Sequence, residues 1–158
     1  MISQTPLHAT SGHKVLICGS LAYDTIMLFE GHFHQHILPH KIHALNVAFY
    51  TPVMRREFGG TAGNIAYNLN ILHDSPCIMA TVGSDFEPYA RWLETNAIAT
   101  THIKPIADSY TAQAFITTDL DNNQITAFHP GAMSESHQNS ITVTDPIKLA
   151  VIAPDSRV

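Results

Sequence analysis

Residues 55–72 read RREFGGTAGNIAYNLNIL, and this stretch decides the fold. Gly59, Gly60 and Gly63 punctuate a strand-to-helix turn, where paired glycines let the backbone come close to a ligand because no Cβ stands in the way. Thr61 is placed as the N-cap of the helix that follows. Ile65, Leu69 and Leu72 recur at i, i+4 and i+7, the apolar stripe of a helix packed on a sheet. A helix start also presents free N–H groups to whatever lies at the turn. The known phosphate-binding versions of such a turn do not fit: GxxxxGK(S/T) is missing, and Gly59-x-x-x-Gly63 lacks the GxGxxG spacing after a first strand. Asn64, one turn into the helix, both donates and accepts hydrogen bonds, which suits a vicinal diol better than a phosphate.

Working outward, three short apolar runs read as buried strands: Lys14–Ser20 (KVLICGS), Cys77–Val82 (CIMATV, closed by Gly83-Ser84) and Lys148–Ala153 (KLAVIA). Residues 22–29 and about 45–50 read as further extended segments. A second helix is expected over about Phe86–Ala97, with Asp85 as its cap, Glu87 and Pro88 in its first turn, and Tyr89, Trp92 and Leu93 facing inward. Residues 111–118 and 124–129 are β-rich and separated by Asp119-Leu120-Asp121-Asn122-Asn123, a hairpin signal. Core strands separated by helices imply an α/β fold with a parallel, Rossmann-like sheet and right-handed crossovers. The polar, alternating strands between them form a separate small sheet.

Composition sets the function classes. The 158 residues are 45% hydrophobic and 13% charged, enough to bury a core, and the charged share is half the usual figure of about 25%. Eight Lys plus Arg against thirteen Asp plus Glu leave a net charge of −5, which argues against a nucleic-acid or anionic-membrane partner. Cys18 and Cys77 sit inside apolar runs and read as small core residues, not as a disulfide framework or a zinc set. Residues 1–13 are polar with no apolar stretch of a secretory signal and are expected as a disordered tail; a cytoplasmic setting follows, with no membrane span.

Two further features bear on a site. Asp24 follows Cys18-Gly19-Ser20 at the carboxyl end of the first strand, where open α/β sheets place their ligands, and a carboxylate there accepts hydrogen bonds from two sugar hydroxyls. His32, His34 and His36 alternate at strand period, which would set three imidazoles on one face. Their Gly- and Pro-flanked segment is read as a solvated loop, and no metal is expected.

These residues together resemble the ribokinase-type (PfkB) sugar and nucleoside kinases, most closely their bacterial adenosine-kinase-like members. The resemblance rests on an ordered series: Gly19-Ser20-Leu21-Ala22-Tyr23-Asp24, then Phe58-Gly59-Gly60-Thr61-Ala62-Gly63-Asn64-Ile65-Ala66, Thr81-Val82-Gly83-Ser84-Asp85, Asp119–Gln124 and His129-Pro130-Gly131-Ala132. His73 departs from it, standing where the family prefers Gly or Ser after the helix and costing an easy left-handed residue at the C-cap.

The resemblance implies that Asp24 binds sugar hydroxyls, that Gly59 and Gly60 let the backbone approach the ribose, and that Asn64 hydrogen-bonds its diol. Segments of about 22–50 and 111–129 correspond to a β-lid over the acceptor, which in the family also supplies homodimer contacts; Gln113 and Phe115 are named as lid contacts to base or sugar. ATP with Mg2+ is the implied donor, and adenosine the implied acceptor, with ribose or another sugar as the alternative. The family's catalytic aspartate lies in a Gly-x-Gly-Asp run of a second half, and no such run occurs in these 158 residues. Residues 14–158 are therefore expected to be the N-terminal, acceptor-binding part of an incomplete kinase domain, inactive alone. The alternative from another class is a non-catalytic fragment acting only as a lid-mediated dimer or binding module.

Overall fold

A computed structural model describes residues 13–140 and 146–156. The stretch read as a tail lies, except for His13, outside the described residues. Four parallel strands form the first sheet, β1 (Lys14–Cys18), β4 (Pro76–Val82), β5 (Ala99–Pro105) and β8 (Ile147–Ile152), in the order β5-β4-β1-β8. The three expected strands are all present, and β5 is an addition, but only β1 and β4 are buried. β8 lies at the sheet edge, paired on one side by β1, and is mostly exposed, with Leu149 at 55% and Ile152 at 76%. The β5 sequence, ATTHIKP, has no apolar run, because it is a half-exposed edge strand that meets the core on one side only.

The second sheet is mixed. It holds β2 (Ala22–Leu28), β3 (Val53–Gly59), β6 (Ala112–Thr118) and β7 (Gln124–His129) in the order β3-β2-β6-β7, with β2 parallel to β6 and antiparallel to β3. This is the separate small sheet expected from the alternating segments, with one shift in its bounds. Residues 45–50 form no strand; the partner of β2 is β3, beyond the expected 22–50 limit. Val-Met-Arg-Arg-Glu reads as polar because its residues are exposed on an edge strand, where charged side chains hinder pairing with another chain.

Three helices are found among the described residues, α1 (Phe33–His36), α2 (Thr61–Ile71) and α3 (Glu87–Thr95), with 3-10 turns at Pro39–Ala44 and at Gly131–Gln138, the latter kinked at Glu135. α2 buries Ala62, Gly63 and Ala66 against the core, so small residues let it lie close to the sheet. Ile65 and Leu69 flank that contact, whereas Leu72 is 75% exposed because the helix has ended at Ile71. α3 buries Tyr89 and Leu93 and half-buries Trp92, as expected of its inward face. The core joins Val15 and Ile17 of β1, Ile78, Ala80 and Val82 of β4, Tyr23 of β2 and these helix residues.

Both longer helices end in the same way. His73 N–H donates to Asn70 O and Asp74 N–H to Leu69 O after α2; Ala97 N–H donates to Glu94 O and Ile98 N–H to Leu93 O after α3. These are Schellman closures, and the residue after each C-cap is left-handed, His73 at φ 61° and Ala97 at φ 54°. Neither is glycine. Cys77 is buried and Cys18 half-buried, neither joined in a disulfide, and no helix among the described residues is long and apolar enough to cross a membrane.

Candidate functional site

The site forms where β1, β2, β3 and α2 converge. Gly60 occupies the N-cap position of α2 at φ 89°, a backbone closed to other L residues, and a Cβ there would stand 2.7 Å from Ala22 N. Thr61 is thus the first helical residue and not the cap. Its hydroxyl is taken up elsewhere: it accepts from Ser20 N–H at 3.2 Å and donates to Pro154 O at 3.0 Å. Ser20 returns the contact, its Oγ accepting from Thr61 N–H at 3.1 Å and its carbonyl from Ala62 N–H at 2.9 Å. The end of β1 and the start of α2 are thereby clamped together.

Asp24 stands on β2 opposite Glu57 of β3, and Gly59 pairs with Ala22 on the same sheet face. A Cβ on Gly59 would overlap the Asp24 carboxylate, standing 2.9 Å from its Cγ. Glycine at 59 is therefore what gives the carboxylate its place. Among the described residues no donor is hydrogen-bonded to Asp24, and burial pushes its carboxyl above the usual carboxylate range. A half-buried, unpaired carboxylate of this kind gains most from hydroxyl donors brought by a ligand. Asn64 lies one turn along α2, exposed, its N–H donating to Gly60 O at 3.1 Å. The fold thus gathers Asp24, Gly59, Gly60 and the first turn bearing Asn64 into one place.

It does not bring Gln113 and Phe115 to that place. The unbroken register of β2 with β6 pairs Asp24 with Ala114, Tyr23 with Gln113 and Thr25 with Phe115. Side chains alternate along a strand, so Gln113 and Phe115 occupy the face opposite to Asp24. Ala114, and Phe128 across from it on β7, share the Asp24 face.

The opposite face carries a network that sequence reading missed. Asp85, expected as a helix cap, accepts instead from Thr111 N–H at 2.7 Å and from Gln113 Nε2 at 3.2 Å, and pairs with Arg56 at 3.5 Å. Phe86 takes the N-cap position with no side-chain bond. The Arg56 guanidinium lies over the Tyr23 ring at 3.7 Å, and the Tyr23 hydroxyl donates to Asp85 O at 2.9 Å. Tyr89 links this layer to the site: its buried hydroxyl donates to Gly59 O at 2.9 Å. Burial, with Asp24 and Tyr23 beside it, holds that phenol protonated well above its ordinary range. The Gly83-Ser84-Asp85 run was the only signal for this hub, and it names no partners.

The histidine segment also differs from its expected form. His34 and His36 lie in α1, a short helix, so the even spacing that would align them on a strand sets them on different sides. His36 packs on Phe29 and Phe49, with ring centroids 5.2 and 6.2 Å away. His32 and His34 turn instead toward Asp121 of the β6–β7 turn.

The family model for pfkB family carbohydrate kinases matches residues 13–152. The chain belongs to this family. Among solved pfkB-type folds, the nucleoside kinase of Burkholderia thailandensis in complex with inosine superposes with a TM-score of 0.75 at 51% identity, over 89% of this chain and 44% of that one. The same enzyme in complex with ADP-inosine gives 0.69 at 54% identity, again over 89% and 44%. The Methanocaldococcus jannaschii nucleoside kinase, an archaeal member of the ribokinase family, gives 0.76 at 27% identity over 91% of this chain and 45% of its own. The nucleoside kinase of Methanothermobacter thermautotrophicus is 36% identical over 99 residues, which are 61% of this chain and 32% of that protein. This pfkB chain therefore spans less than half the length of each of these relatives.

Proposed function

We propose that this chain is the acceptor-binding and lid part of a nucleoside kinase that phosphorylates the ribose 5′-hydroxyl of a purine nucleoside. The carrying observation is the unpaired, half-buried Asp24 carboxylate seated over Gly59 at the glycine turn. In this reading Asp24 accepts hydrogen bonds from ribose hydroxyls, Gly59 and Gly60 let the sugar approach the backbone, and Asn64 bonds the vicinal diol. The second sheet closes over the sugar and excludes water. Adenosine is the expected acceptor; the inosine complex of the B. thailandensis enzyme favours a purine site tolerant at the 6-position. Ribose itself is the alternative acceptor.

ATP, carried with Mg2+, is the donor in the proposed reaction. The Gly-x-Gly-Asp run implied for its site is missing from the sequence, so none of this chain's residues is assigned to ATP or Mg2+. Activation of the hydroxyl falls to the same missing element, and the 158 residues alone are expected to bind nucleoside without turning it over. The setting proposed is the cytoplasm, where thiols such as Cys18 and Cys77 stay reduced. A homodimer through the lid is proposed on the exposed edge strand β7, where Ile125 is 42% and Phe128 52% exposed. No nucleic acid or membrane partner is proposed.

Calorimetric titration of the chain with adenosine, inosine and ribose tests the acceptor. Binding of the two nucleosides, lost in Asp24→Ala, is the expected result; equal binding by parent and variant removes Asp24 from the site. A coupled assay for AMP formation tests the second point, and turnover by this chain would overturn it. Sedimentation reads the dimer.

A further inference from the structure

We propose that His32, His34 and Asp121 form a binding site for a divalent first-row transition ion, with Zn2+ the best fit to their chemistry. One ligand atom from each of the three lies within 4.8 Å of the other two. His32 Nδ1 stands 2.8 Å and His34 Nδ1 3.8 Å from the same Asp121 Oδ2. The donors of a tetrahedral zinc ion, bound at about 2.0–2.2 Å, sit about 3.4 Å apart, so the observed separations bracket the required one. Rotating the His34 ring and relaxing the His32–Asp121 hydrogen bond closes the difference.

The two sides of the cluster are fixed to each other before any ion arrives. Asp119, only 2% exposed, is the fastener: its Oδ2 accepts from Phe33 N–H at 2.9 Å, and its Oδ1 accepts from Asp121 N–H at 3.0 Å and Asn123 N–H at 2.8 Å. Leu120 N–H donates to Gly31 O at 3.0 Å beside them. One buried carboxylate therefore holds the backbone that carries two imidazoles against the backbone that carries their carboxylate. This is the rigid frame that a metal site needs and that a solvated loop lacks. The earlier expectation of no metal assumed such a loop.

The ligand set decides the ion. Two neutral imidazoles and one carboxylate, with no thiol, suit Zn2+ and its neighbours and leave Mg2+ and Ca2+, which prefer oxygen, poorly served. His34 is 69% and Asp121 50% exposed on their side chains, so the ion enters from solvent and keeps water in its remaining position. The site lies past the end of β2 remote from Ala22 and Gly59, and a bound ion would staple the segment after β2 to the β6–β7 turn. The inference uses none of the nucleoside-binding residues and stands apart from that reading.

The test is competitive calorimetry with Zn2+ on the chelator-stripped full chain, in parent, His34→Asn, Asp121→Asn and two controls, His36→Asn and His43→Asn. One equivalent is expected in the parent. Its affinity should fall by at least about tenfold in His34→Asn and Asp121→Asn, since even outer-shell losses cost about 10–100-fold. The controls should match the parent. Unchanged affinity in the first two variants, or equal loss in all four, overturns the site. A second readout needs no variant: Co2+ added to the labelled parent should broaden the amide signals of Phe33, Gln35 and Asp121 first, and broadening centred elsewhere also overturns it.

Discussion

The Asp24 carboxylate occupies the space that a Cβ of residue 59 would take. The two residues lie diagonally on one face of the antiparallel pair β2 and β3, with Asp24 opposite Glu57 and Gly59 opposite Ala22. Site geometry and glycine identity are therefore one constraint, and it can be broken by a single methyl group.

Gly59→Ala should displace the carboxylate while leaving the sheet paired. Nucleoside binding is expected to weaken by about tenfold or more, or about 1.4 kcal/mol. Calorimetry with inosine measures it, and parent-like affinity in a folded variant would show that the carboxylate does not hold the ligand.

Asp24→Asn should trade binding for stability. Burial raises the carboxyl of Asp24 in the fold, so the folded chain holds that proton to higher pH than the unfolded chain does. The charged group therefore subtracts stability at neutral pH. That penalty is relieved as pH falls through the raised value and is gone below the unfolded value of about 3.9. The variant should melt above the parent at pH 7, with the gap closing in acid, and should bind nucleoside less well. Melting curves that stay parallel at every pH would contradict this.

Tyr89→Phe should leave the Gly59 carbonyl without its 2.9 Å partner in a buried place. An unpaired buried acceptor costs about 1–3 kcal/mol. At about 2–4 °C per kcal/mol for a chain of this size, the melting temperature should drop by several degrees. A thermal scan that shows no drop would mean that water replaces the hydroxyl.

His73→Gly and Ala97→Gly should each stabilise the chain. A left-handed non-glycine residue costs about 1–2 kcal/mol, and glycine returns about 0.4–1 kcal/mol of that through the freer unfolded chain. The net gain is about 0.5–1 kcal/mol at each exposed position, additive because the helix ends are separate. Denaturant titration of the double variant gives the sum, and a loss of stability at either site would count against the strain.

Asp119 should make the second sheet sensitive to acid. Burial pushes its carboxyl up, but hydrogen bonds from Phe33, Asn123 and Asp121 outweigh it and hold it down to about 2. A value below the unfolded one means stability present above about 3.9 and lost as pH falls toward about 2. Asp119→Asn should melt lower at pH 7 and lose that acid step, since an amide sets an NH2 against its donors. Amide exchange at Phe33 and Asn123 reads it directly, and an unchanged acid profile in the variant would assign the step to other carboxylates.

The parts legible in the sequence share one property. KVLIC and CIMATV are apolar because both faces of a central parallel strand are covered, and Tyr89 and Leu93 fall on the helical period that buries them. KLAVI is just as apolar but forms the edge strand β8, where Leu149 and Ile152 are exposed, so its composition does not report its burial. The edge strands β5 and β3 carry no such pattern. ATTHIKP and VMRREFG are strands because β4 and β2 supply open ladders beside them, a reason that lies in another part of the chain. Gln113 and Phe115 were placed at the ligand by position alone. The strand register that turns them away is set by pairing with β2, which no local stretch encodes.

By itself the sequence determined the α/β class, the glycine turn at 59–60, the pfkB resemblance and the candidacy of Asp24, because each follows from residue type at short spacing. Tertiary structure alone decided that Asp24 and Gly59 share one space, that Asp85 joins β2, β6 and α3 and caps no helix, and that His32 and His34 meet Asp121. Those meetings join residues up to 89 positions apart. Local chemistry fixes what each side chain can do, whereas the pairing of distant strands fixes which side chains do it together.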